Sequence, residues 1–264
     1  MEKYVHDVAV HNLLAPKQLV PIFIDLFHPT SVVDVGCGLG TFLRVFKENG
    51  VVDIFGLDGT WVNKSLLSNN ISLDSFKEVD LEEEVQLNRR FDLAMCLEVA
   101  EHIQEEKADN LVSTLTNLSD TIIFSAAIPY QGGQNHVNEQ WLTYWESLFN
   151  AHNYTLFDII RPKIWDNSDV FFWYKQNVVV FAKNGCINEL AKNCPSIVIR
   201  NIVHPDLYRI HCVALEECRR ENNRLLYQID RLNSGGYSFK KYIGMLANYF
   251  KLRLTKLARK QGNN

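Results

Sequence analysis

The sequence predicts an α/β fold, in which a mostly parallel sheet carries helices on both faces and is followed by a helical C-terminal extension. Three observations lead to this prediction. Short apolar or β-branched segments alternate with helical patterns between residues 31 and 183, and such alternation is typical of βαβ units. Hydrophobic residues make up 47% of the 264 residues, which is enough for a large core. Past Gly185 the alternation stops and a long helical pattern begins.

The elements can be assigned in chain order. Residues 10–27 have the pattern of helices broken by Pro16 and Pro21, and they belong to a predicted N-terminal cap over residues 1–30. The domain predicted over residues 31–184 contains helices at 41–49, near 105–118 and at 139–152, and strands at 31–36, 52–58, 76–80, 91–97, 121–129, 155–161 and 177–183. An irregular connection joins the last two strands, so they are predicted to pair antiparallel.

The third predicted region, residues 185–264, is a helical extension with a basic amphipathic end. Within a helix predicted over 205–233, residues recur at spacings of three and four, as in the seam of a coiled coil: Leu215, Cys218, Asn222, Leu225, Ile229 and Leu232. This seam allows a homodimer, and a helix packed on its own domain is the alternative. From Tyr237 onward no acidic residue occurs. Such a segment suits an anionic membrane surface or an acidic partner, or else covers its own domain.

Composition excludes several classes of protein. A net charge of −4 argues against a nucleic-acid partner. The six cysteines form no Cys-x-x-Cys pair, which predicts free thiols in a reducing cytoplasm. The N-terminus lacks the features of a signal peptide, and no apolar run approaches the ~20 residues that span a bilayer. We therefore expect a cytoplasmic protein, for which the basic end allows peripheral contact with the inner membrane.

A glycine-rich turn is the first functional motif. The stretch "VVDVGCGLGTFL" places Asp34 and three glycines, Gly36, Gly38 and Gly40, between a strand and a helix. Glycine permits a tight turn and close contact with a ligand, and the helix that follows offers free N–H groups. Asp58 ends the next strand, about twenty residues later, where an acid commonly binds ribose hydroxyls. A nicotinamide-binding loop would have another glycine where this sequence has Thr41.

In these motifs the sequence resembles the class I S-adenosylmethionine-dependent methyltransferases, over roughly residues 5–183. The resemblance implies a Rossmann-like, seven-stranded sheet whose last strand is antiparallel, and S-adenosylmethionine as cofactor with S-adenosylhomocysteine as product. It implies that the glycine loop wraps the methionine end, that Asp58 binds the ribose and that Asp80-Leu81 touches the adenine. The cofactor-binding residues implied are Asp34, Gly36, Cys37, Gly38, Gly40, Asp58, Gly59, Asp80, Leu81, Leu97 and Glu98.

An acidic turn follows the buried strand at 91–97. Glu98 ends this strand, and Glu101 and His102 follow on the first turn of the predicted next helix. If the turn is helical, spacings of three and four bring the three side chains together. They could hold Mg²⁺ or Mn²⁺, with His136, after the fifth strand, as a fourth ligand. Glu-x-x-Glu-His also resembles the metal site of methyltransferases that modify ubiquinone precursors or the 2′-hydroxyl at the 3′ end of small RNAs.

The same residues allow a mechanism without a metal. Glu98 would then face the cofactor, and His102 would fix the turn or act as a base. An acceptor hydroxyl must lose a proton in either case, and we name His136, His102 and Glu101 as the candidate catalytic residues.

Two aromatic and polar segments, residues 128–149 and 161–177, are candidates for acceptor binding. Aromatic faces and amides suit a carbohydrate, although core packing is the alternative for the tryptophans. The segments resemble bacterial methyltransferases of surface-polysaccharide and sugar-modification pathways. We expect an O-methyltransferase that acts on a sugar, nucleotide-linked or within a glycan; an RNA 2′-O-methyltransferase and a non-catalytic cofactor-binding scaffold are the alternatives. The candidate substrate residues are Tyr130, Gln131, Asn135, Asn138, Trp141, Tyr144, Trp165 and Trp173.

Overall fold

The structure, a computed structural model, describes residues 12–186, 199–236, 238–247 and 249. They divide into two compact units, of which the first ends at Leu207 and the second begins at Tyr208. The first unit contains the sheet and every candidate site residue. The second contains most of a long helix.

A seven-stranded sheet forms the centre of the first unit, with strand order β3-β2-β1-β4-β5-β7-β6. Its last strand in sequence pairs antiparallel with both of its neighbours, while all the other pairs are parallel. The predicted mostly parallel, Rossmann-like sheet is thus confirmed. The strands are β1 Ser31–Val35, β2 Asp53–Asp58, β3 Phe76–Glu78, β4 Leu93–Leu97, β5 Thr121–Ser125, β6 Tyr154–Phe157 and β7 Val179–Lys183.

Helices cover both faces of the sheet. The central strand β4 accordingly consists of apolar residues, all of which are buried. One face packs against the first two helices through Phe23 and Phe46, and the other against the fourth and fifth helices through Leu115 and Phe149. The helices are α1 Leu14–Phe27, α2 Thr41–Glu48, α3 Lys64–Leu67, α4 Ala108–Leu118, α5 Leu142–Ala151, α6 Arg161–Ile164, α7 Phe172–Asn177 and α8 Pro205–Asn233.

Three predictions about helices were wrong. Helix α1 is continuous, because Pro16 falls in its first turn and Pro21 is exposed, where water can satisfy the carbonyl that proline leaves unbonded. The connection at 162–176, predicted to be irregular, contains α6 and α7, which are too short to show a helical period. Glu101 and His102 do not begin a helix; they lie in a single 3₁₀ turn, Ala100–His102, and α4 starts only at Ala108.

The first unit also extends past the predicted boundary at residue 184. The guanidinium of Arg161, which is 2% exposed, donates to the carboxylate of Asp158 and to the carbonyl of Ile199. Farther along, the backbone N–H of His204 donates to the side chain of Gln176 over 2.8 Å, and Leu207 is buried. A buried guanidinium needs hydrogen-bond acceptors, so residues 199–207 pack as part of the first compact unit.

In the second unit, α8 confirms the helix predicted over 205–233. The six residues of the predicted seam are all exposed within this chain. Residues 239–247 are helical as well, and none of the helices in the described part of the chain is both long and apolar enough to cross a lipid bilayer.

Candidate active site

The glycine loop connects β1 to α2 and lies against the turn that follows β4. Gly36, Gly38 and Gly40 have φ angles of 82°, 52° and 73°, a region that favours glycine. A Cβ on Gly36 would lie 2.3 Å from a methyl carbon of Val99, so no side chain fits there. Because Gly36 has no side chain, the glycine loop can contact the acidic turn directly.

Asp58 closes the other side of this loop from the end of β2. Its carboxylate accepts hydrogen bonds from the backbone N–H groups of Gly38, over 2.7 Å, and Gly59, over 2.6 Å. The indole N–H of Trp61 also reaches it, and the Trp61 ring lies over Gly59, where a Cβ would be 2.2 Å from it. Burial raises the pKa of Asp58 to about 6, against the lowering effect of these hydrogen bonds.

The remaining predicted cofactor residues lie along the same edge of the sheet. Burial, followed by the nearby charge of Asp58, raises the pKa of Asp34 to about 8. Cys37 is a buried thiol whose sulfur would be 2.7 Å from a Cβ on Gly56. Asp80 is exposed and accepts from the N–H of Glu82, while Leu81 and Leu97 are buried.

Glu98, the first residue after β4, has a left-handed backbone with φ 55°, which is uncommon for a residue with a side chain. Its carboxylate accepts hydrogen bonds from the amide of Gln131 over 2.8 Å and from the amide of Asn177 over 3.1 Å. Burial raises the pKa of Glu98, and hydrogen bonds from Asn177, Gln131 and Ser125 lower it.

Glu101, His102 and His136 form a compact group beside this turn. One ligand atom from each lies within 4.8 Å of the others, and the two imidazole rings meet edge to face with centroids 4.9 Å apart. Glu101 is 1% exposed. Burial, followed by the charge of Glu98, raises the pKa of Glu101 well above its usual range. Burial, followed by the charge of His136, lowers the pKa of His102 to about 4.

His136 is oriented by a loop that folds around it. Its Nδ1–H donates to Glu139 over 2.8 Å, and its Nε2 lies 4.0 Å from Glu101 Oε1. The same Glu139 carboxylate accepts from the backbone N–H groups of Tyr130 and Gly132. A Cβ on Gly133 would lie 2.2 Å from Nε2, so glycine is needed for the loop to pass this close to the ring.

Comparison with known proteins agrees with this geometry. The profile of a family described as a methyltransferase domain matches residues 5–164. The chain belongs to this family. It is therefore a methyltransferase, and its cofactor is S-adenosylmethionine. No curated protein matches the chain in sequence.

Several solved structures are similar to this chain at low sequence identity. Magnesium protoporphyrin IX methyltransferase (ChlM) from Synechocystis PCC 6803 with bound SAH has 15% identity and a TM-score of 0.49, over 70% of this chain and 90% of that chain. The methyltransferase domain of bacterial CtHen1 has 18% identity and a TM-score of 0.48, over 65% and 100%. Streptomyces venezuelae DesVI has 13% identity and a TM-score of 0.49, over 68% and 100%.

The group of Glu101, His102 and His136 fits a divalent cation. Neither carboxylate oxygen of Glu101 forms a hydrogen bond of normal geometry among the described residues, although its own N–H and that of Ala127 lie near enough to lower the pKa slightly. A buried carboxylate without a partner is costly, and one oxygen with two imidazole nitrogens suits Mn²⁺ or Mg²⁺. Glu98, which the sequence also suggested as a ligand, is not in this group, and its carboxylate is held by the amides of Gln131 and Asn177.

The predicted substrate residues of the methyltransferase divide by position. Three support the site: Gln131 binds Glu98, the Asn135 carbonyl accepts from His102, and the Asn138 N–H donates to the Glu101 carbonyl. Two are exposed near it, Tyr130 at 83% and Trp141 at 36%. The other three take part in packing: Tyr144 contacts Trp145, Trp165 contacts His204, and Trp173 stacks on Phe171.

Sequence reasoning gave no role to Trp61, and it considered Asn177, Gln176 and Glu139 only as parts of the segments suggested for acceptor binding. All four contact predicted site residues of this methyltransferase. The positions of Asn177 and Glu139 in the sequence could have indicated a role in the site. Asn177 directly precedes β7, and Glu139 follows His136 by three residues.

Proposed function

We propose that this methyltransferase transfers a methyl group to a hydroxyl of a sugar, either nucleotide-linked or within a glycan, in the biosynthesis of surface polysaccharide or a related polymer. The observation that carries the proposal is the group of Glu101, His102 and His136 beside the cofactor loop. Methyl transfer to oxygen requires that the acceptor lose a proton. This group supplies an imidazole there, together with a carboxylate that accepts no hydrogen bond of normal geometry from the residues that the structure describes.

Different residues of the chain have different roles in the proposed reaction. Transfer is an in-line displacement from sulfur to oxygen, so the protein contributes chiefly by holding the two reactants in line. Because Glu139 binds Nδ1–H of His136, the Nε2 atom is the nitrogen left to accept a hydroxyl proton. When bound, a divalent cation would lower the pKa of the acceptor hydroxyl, and Glu101, His102 and His136 would hold it.

Exposed aromatic surface next to this group supports a sugar as the acceptor. Tyr130 and Trp141 are the exposed aromatic residues of the loop that carries His136. An aromatic ring can stack on the C–H face of a sugar, while amide side chains bind its hydroxyls. Tyr130 also has a left-handed backbone, φ 67°, fixed by the bond from its N–H to Glu139.

An acceptor screen tests the function. Full-length protein with methyl-labelled cofactor is expected to label a sugar nucleotide or a polysaccharide fragment, with an O-methyl signal in the NMR spectrum of the product. The His136→Ala variant is expected to lose about 10²–10⁴-fold in rate, as for a lost general base, with unchanged cofactor affinity by calorimetry. His152→Ala, a histidine paired with Asp109, is the control and should keep full rate.

Label in RNA but in no sugar would contradict the sugar acceptor. Absence of transfer to any acceptor, with cofactor bound, would favour a scaffold. Full activity of His136→Ala would remove His136 from the mechanism.

Cation binding is tested separately from activity. Wild-type protein is expected to bind Mn²⁺, detected by the loss of the free-ion signal in electron paramagnetic resonance. Glu101→Gln keeps the shape but loses the charge, and should weaken binding by more than about tenfold. Glu105→Gln, an exposed acid, is the control. Equal Mn²⁺ binding by wild type and Glu101→Gln would rule out this group as the cation site.

We further propose that α8 forms a homodimer through the seam of Leu215, Cys218, Asn222, Leu225, Ile229 and Leu232, all of which are exposed. A double change of Leu225→Glu and Ile229→Glu is expected to convert a dimer to a monomer in sedimentation experiments. The control pair, Val213→Glu with Tyr227→Glu, is equally exposed but lies outside the seam, and should leave the dimer intact. A wild-type monomer at micromolar concentration would contradict the dimer.

We also propose a cytoplasmic enzyme whose basic end contacts the inner membrane. Phe239, Ile243 and Leu246 are exposed beside Lys240 and Lys241. The other residues of the predicted amphipathic end lie outside the described residues: Phe250, Lys251, Arg253, Lys256, Leu257, Arg259 and Lys260.

Sedimentation with lipid vesicles tests the membrane contact. The chain should bind phosphatidylglycerol vesicles and not phosphatidylcholine vesicles. Each basic residue near an anionic surface contributes about 1 kcal/mol, so Lys240→Glu with Lys241→Glu should weaken binding more than about tenfold. Lys47→Glu with Lys77→Glu, both exposed elsewhere, is the control. Equal binding to both lipids would contradict the proposal.

A further inference from the structure

Glu98 lies between the two halves of the reaction site. The residue after it, Val99, is the one that touches Gly36 of the cofactor loop. Two residues beyond Val99 is Glu101, a member of the group assigned to the acceptor. The cofactor sulfur must lie between its binding loop and the acceptor, so Glu98 stands where the sulfur is expected.

The carboxylate of Glu98 is held by neutral donors. Gln131 Nε2 donates over 2.8 Å, and Asn177 Nδ2 donates to both oxygens over 3.1 and 3.4 Å. The hydroxyl of Ser125 is a third donor. Hydrogen bonds that a carboxylate accepts favour its ionised form without neutralising its charge.

A second layer of hydrogen bonds fixes the direction of these amides. The backbone N–H of His204 can only donate, and it donates to Gln176 Oε1 over 2.8 Å. The other end of that amide, Gln176 Nε2, must therefore be the donor to Gln131 Oε1, over 3.1 Å. Gln131 in turn has only its N–H₂ group left to offer to Glu98.

Hydrogen bonds fix the direction of the Asn177 amide in the same way. Its Oδ1 accepts from Gln176 Nε2 over 3.0 Å, and its Nδ2 donates to Gln131 Oε1 over 2.9 Å as well as to Glu98. Both amides therefore present N–H groups to Glu98, an arrangement suited to an anion. The backbone of Glu98 is left-handed, with φ 55°, and such strain is typical of residues held for function.

The charge of His136 acts on Glu98, but its lowering effect on the pKa is smaller than the effects of burial and of the three hydrogen bonds. Among the described residues, no lysine or arginine forms an ion pair with it, and burial raises its pKa. Hydrogen bonds make a buried anion less costly but leave its net charge in place, so a cation nearby stabilises it further. The sulfonium of S-adenosylmethionine is a cation, whereas the sulfur of S-adenosylhomocysteine is a neutral thioether.

We propose that Glu98 binds the sulfonium charge and is the residue by which the enzyme distinguishes S-adenosylmethionine from S-adenosylhomocysteine. When the methyl group leaves, the sulfur becomes neutral and its attraction to Glu98 ends, which favours release of the product. Gln131, Asn177 and Gln176 are positioning residues for this carboxylate. The inference depends on the cofactor and not on the proposed sugar acceptor.

Calorimetry with both ligands, on the full chain and with EDTA to remove metals, tests the proposal. Glu98→Gln keeps the shape and removes the charge. It should weaken S-adenosylmethionine binding about tenfold and change S-adenosylhomocysteine binding less than twofold. Asp58→Asn is the matched control, because the ribose is common to both ligands and both affinities should fall by the same factor. Glu98→Asp keeps the charge and should keep the preference for the methylated ligand.

Equal weakening of both ligands by Glu98→Gln would overturn the proposal, since Glu98 would then hold a part that they share, such as the amino group. Unchanged affinity for both would overturn it as well. If Glu98→Gln does not fold, Asn177→Leu removes donors to the carboxylate and should show the same selective loss. The assay contains no acceptor, so failure of the sugar proposal would not affect its outcome.

Discussion

The contact between Gly36 and Val99 is the constraint on which the active site depends. In a parallel sheet, the turns after adjacent strands β1 and β4 leave the same edge, but ordinary side chains would hold them apart. The missing Cβ of Gly36 lets the cofactor loop touch the acidic turn directly. Glu98, directly before Val99, and Glu101, two residues after it, therefore lie on a turn that contacts the glycine loop.

The site that results is rich in buried carboxyl groups. Asp34, Asp58 and Glu101 are each no more than 5% exposed, and burial raises the pKa of each. Such groups are costly unless cations or hydrogen bonds accompany them. Asp58 and Glu98 accept hydrogen bonds of normal geometry, whereas the Glu101 carboxylate accepts none of that kind within the described part of the chain. This difference separates carboxylates organised for a cofactor from one that still needs a partner.

Local motifs could be predicted from the sequence because they depend on short spacings. The glycine loop, Asp58 and the strands of the sheet all follow from residues close together in the chain. The positions of Glu98 and Glu101 did not, because a helical turn was assumed where Glu98 adopts a left-handed backbone and a 3₁₀ turn follows. Their carboxylates consequently meet different partners. Trp165 and Trp173 pack against His204 and Phe171, contacts that no local pattern indicates.

The hydrogen bonds around Glu98 also explain why the first compact unit does not end with β7. An amide side chain can turn over and exchange its donor and acceptor, so Gln176 alone could not fix the direction of Gln131 and Asn177. The backbone N–H of His204 removes that ambiguity, because it can serve only as a donor. His204 is held in turn by its bond to the Trp165 carbonyl. Residues beyond the last strand thus determine that the amides of Gln131 and Asn177 present their donor ends, and not their oxygens, to Glu98.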